Sequence, residues 1–357
     1  MRYPAFLADH GRIGFAAPSF GCSFDPYKAA FENALRRFEQ MGFTCQLGPN
    51  VWSEEGIGIS STPPRCAAEF MDAWLSDTSD ALISVGGGEL MCEILPCLDF
   101  DKLAQSAPKW FMGYSDNTNI GFLLATLTDT ASIYGPCAST FGMEPWHPSI
   151  EDAFALLRGE KLTFTGYPAY ELESNKSAET PLATINATQP RQLHSFLPGG
   201  GQVLSAGMPT MKETRETIEF SGRLIGGCLD CLGQLVGTTF DQVAAFADRY
   251  REDGLIWFLE ACDLNVYSIR RAIWQLKNAG WFKYTKGFLI GRPLSGMEEM
   301  FGLDRFHAVT DLLDELGVPV IMDLDIGHIA PMMPLINGSL AHVHCQDQDF
   351  SIRMELR

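Results

Sequence analysis

Several familiar signatures are missing from this chain of 357 residues. No apolar run reaches the ~18 residues needed to span a bilayer. The opening stretch MRYPAFLADHGRIGF is interrupted by Asp9-His10 before a signal-peptide core could form, so a cytoplasmic protein is expected. Basic residues are few. There are 26 Lys and Arg against 44 Asp and Glu, a formal charge of −18 and a pI of about 4.7. That balance lacks the basic face that phosphate neutralisation requires and disfavours anionic lipid, so neither nucleic acid nor membrane is expected as a partner. No G-x-G-x-x-G follows the first apolar strand, which argues against a nucleotide-binding oxidoreductase. Cys228-Leu229-Asp230-Cys231 has no second C-x-x-C to complete a metal site, and it reads as two packed cysteines. There is no internal repeat and no heptad pattern.

What is present is ordinary for a folded α/β protein. Hydrophobic residues make up 46% and charged residues 20%, and the length suggests two domains. Ten cysteines spread along a chain this long fit free, mostly buried thiols in a reducing compartment. Strand and helix signals alternate over the first half. Arg12 to Ala17 reads as a buried strand, and Phe31, Ala34, Leu35, Phe38 and Met41 form a helical stripe stopped by Gly42. Strands are expected again at 43–47, 81–85 and 109–114, with helices around 66–74 and 118–128. This rhythm predicts an open, mostly parallel sheet covered by helices. From about 165 to 215 the pattern fails. Residues 173–190 are rich in Ser, Thr, Asn and Pro, and Pro198-Gly199-Gly200-Gly201 follows. Regular signals resume at Gly222, with strands at 255–259, 288–290 and 318–322 and helices around 269–276 and 306–316. The expected organisation is an N-terminal α/β domain over 1–160, an irregular connecting or substrate loop over 161–215, and a C-terminal α/β domain over 216–357. His342 and His344 alternate as on a half-exposed terminal strand, a weak case for a metal site.

In open parallel sheets ligands bind beyond the carboxyl ends of strands, and four places follow from that rule. Ser115, in Gly113-Tyr114-Ser115-Asp116, falls on a tight strand-to-helix turn. It reads either as an exposed nucleophile near the helix dipole or, with Asp116, as a helix cap. The Gly86-Gly87-Gly88 run suits backbone donors to an oxyanion, or a plain turn; Glu89 behind it and the missing Lys-Ser/Thr of a P-loop disfavour phosphate. Glu260 ends an apolar strand and must be paired if buried, while Asp263 is expected to cap the next helix. His328 lies in a Gly/Pro-rich loop after strand 318–322 and is a candidate base or a solvated loop histidine. Together they supply a nucleophile, a base and a carboxylate that could fix the base's tautomer.

The same residues carry a likeness. Ala17-Pro18-Ser19, the glycine loop followed by Leu95-Pro96-Cys97-Leu98-Asp99, the Gly-Tyr-Ser-Asp turn, Gly222-Arg223-Leu224-Ile225-Gly226-Gly227, Phe258-Leu259-Glu260 and Gly327-His328 resemble the LD-carboxypeptidase family of serine peptidases, which includes the microcin C immunity proteins. The resemblance covers most of the chain. It implies a Ser115-His328-Glu260 triad and an oxyanion hole from the backbone N–H of Asp116 and of Gly87 or Gly88. It implies a Rossmann- or flavodoxin-like N-terminal domain and a smaller C-terminal α/β domain with a swivelling sheet, the active site lying between them. It also implies a homodimer with no metal and no cofactor. Three positions depart from the family's habit: Val85 where murein-recycling members carry Arg, Cys228 where Asn is common, and Pro334-Leu335-Ile336-Asn337-Gly338 near the end.

The function expected is a serine carboxypeptidase that cleaves an amide near a free carboxylate, foremost an LD-carboxypeptidase acting on murein peptides. A microcin C immunity-like hydrolase of peptidyl- or aminoacyl-nucleotides is the alternative substrate class. A non-catalytic small-ligand binder on the same fold is the alternative of another kind.

Overall fold

The computed structural model describes residues 1–199 and 211–357; Gly200 and Gly201 of the glycine run lie outside the described residues. The chain is mixed α/β and divides into two compact units. The first comprises 1–162, 171–187 and 331–338, and the second 163–170, 188–330 and 339–357.

The first unit is built from β1 (Arg12–Ala16), α1 (Tyr27–Gln40), β2 (Thr44–Leu47), α2 (Pro63–Leu75), β3 (Ala81–Ser84), α3 (Phe100–Gln105), β4 (Trp110–Gly113), α4 (Thr118–Thr128), β5 (Ser132–Tyr134) and α5 (Pro148–Leu157). The strands form where apolar runs are short and continuous, and β3, β4 and β5 are buried at every position. The helix α1 buries Phe31, Ala34 and Phe38 of the stripe read from the sequence, and Ala30 beside them, while Leu35 is half-buried and Met41 follows the helix end and is exposed. Strand order is β2-β1-β3-β4-β5, all parallel, with Leu335–Asn337 added antiparallel on β5. That is the flavodoxin-like order, whose switch point lies between β1 and β3. The loops after β1, β3 and β4 therefore converge at the ligand-binding end.

A buried carboxylate holds this edge. Glu69 of α2 accepts hydrogen bonds from Ala17 N at 3.1 Å, Asn50 N at 3.0 Å and Asn50 Nδ2 at 3.2 Å. It satisfies the backbone where β1 ends and fixes the start of the loop that carries Ser19.

The second unit contains β6 (Thr163–Phe164), β7 (Ala169–Tyr170), β8 (Gln189–Pro190), β9 (His194–Leu197), β10 (Lys212–Thr214), β11 (Ile218–Cys228), α6 (Leu229–Leu235), α7 (Val243–Arg249), β12 (Leu255–Glu260), α8 (Val266–Asn278), β13 (Thr285–Gly291), α9 (Arg305–Leu313) and β14 (Val320–Leu324), followed by strands Leu340–Gln346 and Asp349–Glu355. Its nine-stranded sheet has a parallel centre, β11-β12-β13-β14, with antiparallel strands on both flanks. Strand β12 is buried at all six positions, as the run LIWFL predicts. The helix α8 starts at Asn265, which accepts from Ser268 N at 3.0 Å. Asp263, expected as the cap, instead donates its backbone N–H to Asp230 Oδ1 at 2.9 Å. The terminal histidines fall as read: His342 and His344 are half-buried on one strand.

The glycine pair of β11 is a packing requirement. Gly226 pairs with Phe258 and has φ +157°, and a Cβ there would lie 1.8 Å from the Phe258 carbonyl oxygen. No side chain can shift to relieve a backbone clash of that kind. Gly226→Ala is expected to destabilise the protein by about 4 kcal/mol or more in urea unfolding. A loss below about 1 kcal/mol would show that β11 and β12 separate easily.

Candidate functional site

In the first unit β4 delivers Tyr114, and Ser115 follows with φ +62°. A non-glycine residue in the left-handed region is strained, and such positions recur at nucleophile turns. The turn is held from three sides. Ser115 N donates to the Tyr134 hydroxyl at 3.4 Å. Asn117 Nδ2 donates to Gly86 O at 2.9 Å and to Tyr114 O at 3.0 Å, tying the glycine loop to the turn. Gly87 lies against the serine: a Cβ placed on it would be 3.2 Å from Ser115 Cβ and 3.3 Å from Oγ.

Asp116 is turned away from helix capping. Its Oδ2 accepts from Ser19 Oγ at 2.6 Å and from Met91 N at 2.9 Å, and its Oδ1 accepts from Asn119 Nδ2 at 3.0 Å. Ser19 follows β1 and Met91 follows the glycine run, so one carboxyl group joins three strand-end loops. Gly88 completes the junction, since a Cβ there would meet Ser19 Oγ at 2.1 Å. Burial pushes the Asp116 carboxyl up to about 6, despite the hydrogen bonds that favour its charge; the Glu89 charge adds to the rise. The structure thus brings Ser115, Asp116, Gly87 and Gly88 together.

In the second unit Glu260 ends β12 and is 1% exposed. His328 Nδ1 donates to Glu260 Oε2 at 2.8 Å. A carboxylate on Nδ1 keeps the proton there and leaves Nε2 as the exchangeable position. Room for this contact comes from Gly327, with φ +97°, where a Cβ would lie 2.3 Å from Glu260 Oε2. Burial alone would lower the His328 pKa, but the Glu260 charge and hydrogen bonds to Cys262 and Glu260 hold it well above the ordinary 6.5.

The loop that presents His328 rests on a buried ion pair absent from the sequence reading. Arg292 follows β13 and pairs through Nη2 with Asp325 Oδ1, both side chains being buried. Arg292 Nη1 also donates to Asp323 O at 2.6 Å, and Asp325 Oδ2 accepts from Tyr167 N at 2.7 Å. Arg292, too, stands at a strand's carboxyl end, so the rule that found Glu260 could have found it. Among groups able to hold a cation, one ligand atom each from Cys228, Glu260 and His328 lie within 4.8 Å of one another.

A roomy cavity of about 570 Å³ in the first unit lies elsewhere, lined by Arg12, Asp80 and Lys109 at the amino ends of β1, β3 and β4. Its cations are held in place: Arg12 pairs with Asp80 at 2.6 Å, and Lys109 Nζ donates to the carbonyls of Ala73 and Ser76. No helix among the described residues is long and apolar enough to cross a membrane.

Residues 13–135 match the model of the LD-carboxypeptidase N-terminal domain, and residues 221–343 that of the LD-carboxypeptidase C-terminal domain. The chain belongs to the LD-carboxypeptidase family of peptidases. Relatives include a probable murein peptide carboxypeptidase of Bacillus subtilis, 24% identical, covering 97% of this chain and 92% of its own. The microcin C7 self-immunity protein MccF of Escherichia coli is 25% identical over 97% of this chain and 94% of its own. Among solved structures, an MccF-like protein from Bacillus anthracis superposes with a TM-score of 0.79 at 21% identity, covering 100% of both chains. MccF in complex with aspartyl sulfamoyl adenosine gives 0.77 at 21% identity, covering 99% of this chain and 98% of its own.

The Asp116 junction is directly testable. Asp116→Ala orphans the buried Met91 N–H and Ser19 hydroxyl, with an expected loss of about 1–3 kcal/mol for each donor. Asp116→Asn keeps an acceptor. A carboxyl whose pKa is raised on folding contributes stability below its unfolded value of 3.8, and loses it as pH rises through about 6. Urea unfolding should therefore show the wild type losing ground to Asp116→Asn between those pH values. A constant difference across the window would contradict the raised pKa.

Proposed function

We propose that the protein is a serine carboxypeptidase in which Ser115 attacks, His328 transfers the proton and Glu260 orients the imidazole. The observation that carries this reading is the buried Glu260 carboxylate on His328 Nδ1, which reserves Nε2 for a reacting proton. The strained Ser115 turn supports it from the side of the nucleophile. In the reaction, Ser115 Oγ adds to the amide carbonyl as its proton passes to His328 Nε2. The oxyanion takes hydrogen bonds from the backbone N–H of Asp116 and of Gly87 or Gly88. His328 then protonates the leaving amine, and water releases the acyl group by the same route in reverse. Losing one oxyanion donor typically costs ~10²–10³ in rate.

The substrate we favour is a murein peptide, as the name of the B. subtilis relative suggests, and the bond we favour is the one before a terminal D-residue. The solved MccF complex with aspartyl sulfamoyl adenosine supports a second reading, a peptidyl- or aminoacyl-nucleotide. Turnover of a murein tetrapeptide and of an aminoacyl sulfamoyl adenosine, measured side by side, decides between them. Ser115→Ala should reduce turnover of the true substrate by at least ~10⁴-fold. Fluorophosphonate labelling should be lost with it. Absence of labelling in the wild type, with turnover unchanged in Ser115→Ala, would overturn the serine mechanism.

The pH profile tests the base. The Glu260 charge favours the protonated imidazole, and the base form grows as pH rises. The limb of kcat/KM should therefore rise with an apparent pKa above 6.5, and Glu260→Gln should move it down. A limb at or below 6.5 in the wild type would remove Glu260 from this role.

A further inference from the structure

The carboxyl edge of the second unit gathers more donors than hydrolysis uses. Cys228 ends β11 in register with Glu260 at the end of β12. Its thiol sulfur, a Glu260 carboxylate oxygen and a His328 ring nitrogen lie within 4.8 Å of one another. Metal bonds of about 2.0–2.3 Å in tetrahedral geometry set ligand atoms about 3.3–3.8 Å apart. The three atoms thus need only small side-chain rotations to enclose one ion. Cys262, two residues after Glu260, also interacts with the His328 ring and is half-buried, so the edge has a solvent-facing side from which water can complete the coordination.

The donor set is selective. Sulfur with imidazole suits zinc or cobalt, whereas magnesium and calcium prefer all-oxygen sites. The likeness to a C-x-x-C site is incidental: Cys228 contributes with Glu260 of another strand and His328 of a loop, not with Cys231 as a second ligand.

We propose that Cys228, Glu260 and His328 form a site for a thiophilic divalent cation of the zinc class, and that its occupation switches the hydrolase off. The thiol proton of Cys228 and a ring proton of His328 leave to solvent as the metal–sulfur and metal–nitrogen bonds form. The imidazole and carboxylate that would transfer and steady a proton are then held by the ion. The second half of this proposal rests on the serine-peptidase reading; the first does not.

The test is a titration of the chelator-treated full-length protein with Co²⁺. One equivalent should bind and produce a thiolate-to-cobalt charge-transfer band with the strong visible bands of tetrahedral cobalt, displaced by one equivalent of zinc. Cys228→Ser and Cys228→Ala, with folding checked by circular dichroism, should both lose the charge-transfer band and bind more than about tenfold more weakly. Cys231→Ser should keep the band. Ser115→Ala should bind as the wild type does, so failure of the catalytic reading leaves the metal result standing. No charge-transfer band in the wild type, or a band that survives both Cys228 variants, overturns the site. Stoichiometric zinc that binds without reducing wild-type turnover overturns the switch.

Discussion

A carboxylate at the end of a strand buried at every position constrains the second unit. Glu260 follows five apolar residues that have no other place to go, and an ionised group there is tolerable only with a charged or hydrogen-bonding partner. The partner is His328, and the backbone around it is shaped to let the contact form. Gly327 leaves the space, Gly291 lets the two strand ends approach, and the Arg292–Asp325 pair fixes the loop from which the ring projects. A buried ion pair of that kind adds little net stability but strongly penalises any arrangement that breaks it. The loop is therefore held in one geometry because its alternatives leave Asp325 or Arg292 uncompensated.

The first unit solves a different problem with similar means. Its parallel sheet brings three loops to one end, and nothing in a parallel sheet requires those loops to touch. Asp116 makes them touch, accepting from Ser19 of one and Met91 of another while belonging to the third. Asn117 adds the glycine loop. The strain at Ser115 is sustained by these contacts, since a turn free to relax would abandon its positive φ.

Most of the regular structure was legible because the central strands contain buried apolar runs and helices such as α1 and α8 carry one apolar face. The run LIWFL and the stripe Phe31, Ala34, Phe38 needed no partner to be read. Position at a strand's carboxyl end singled out Ser115, the glycine run, Glu260 and His328, and the structure gathers the first two in one place and the last two in another. What escaped were features defined by pairs distant in the chain. Ser19 with Asp116 and Arg292 with Asp325 leave no mark in local spacing. Strands β6 to β10 escaped for another reason. They have two to four residues each and include Pro190, too short to show alternation. Asn265 took the cap expected of Asp263 because α8 begins at Val266, three residues beyond Asp263 and directly after Asn265.

The antiparallel strand Leu335–Asn337 has a consequence for the order in which the chain is made. It covers β5, the outer strand of a sheet whose other members all precede residue 135. Until residues 331–338 leave the ribosome, the first unit carries a bare strand edge, a surface on which other chains can pair. Every parallel strand of the second unit is synthesised during that interval. The sheet begun first is thus closed only after the parallel core of the other unit has been made, and its final strand lies just beyond the loop that carries His328.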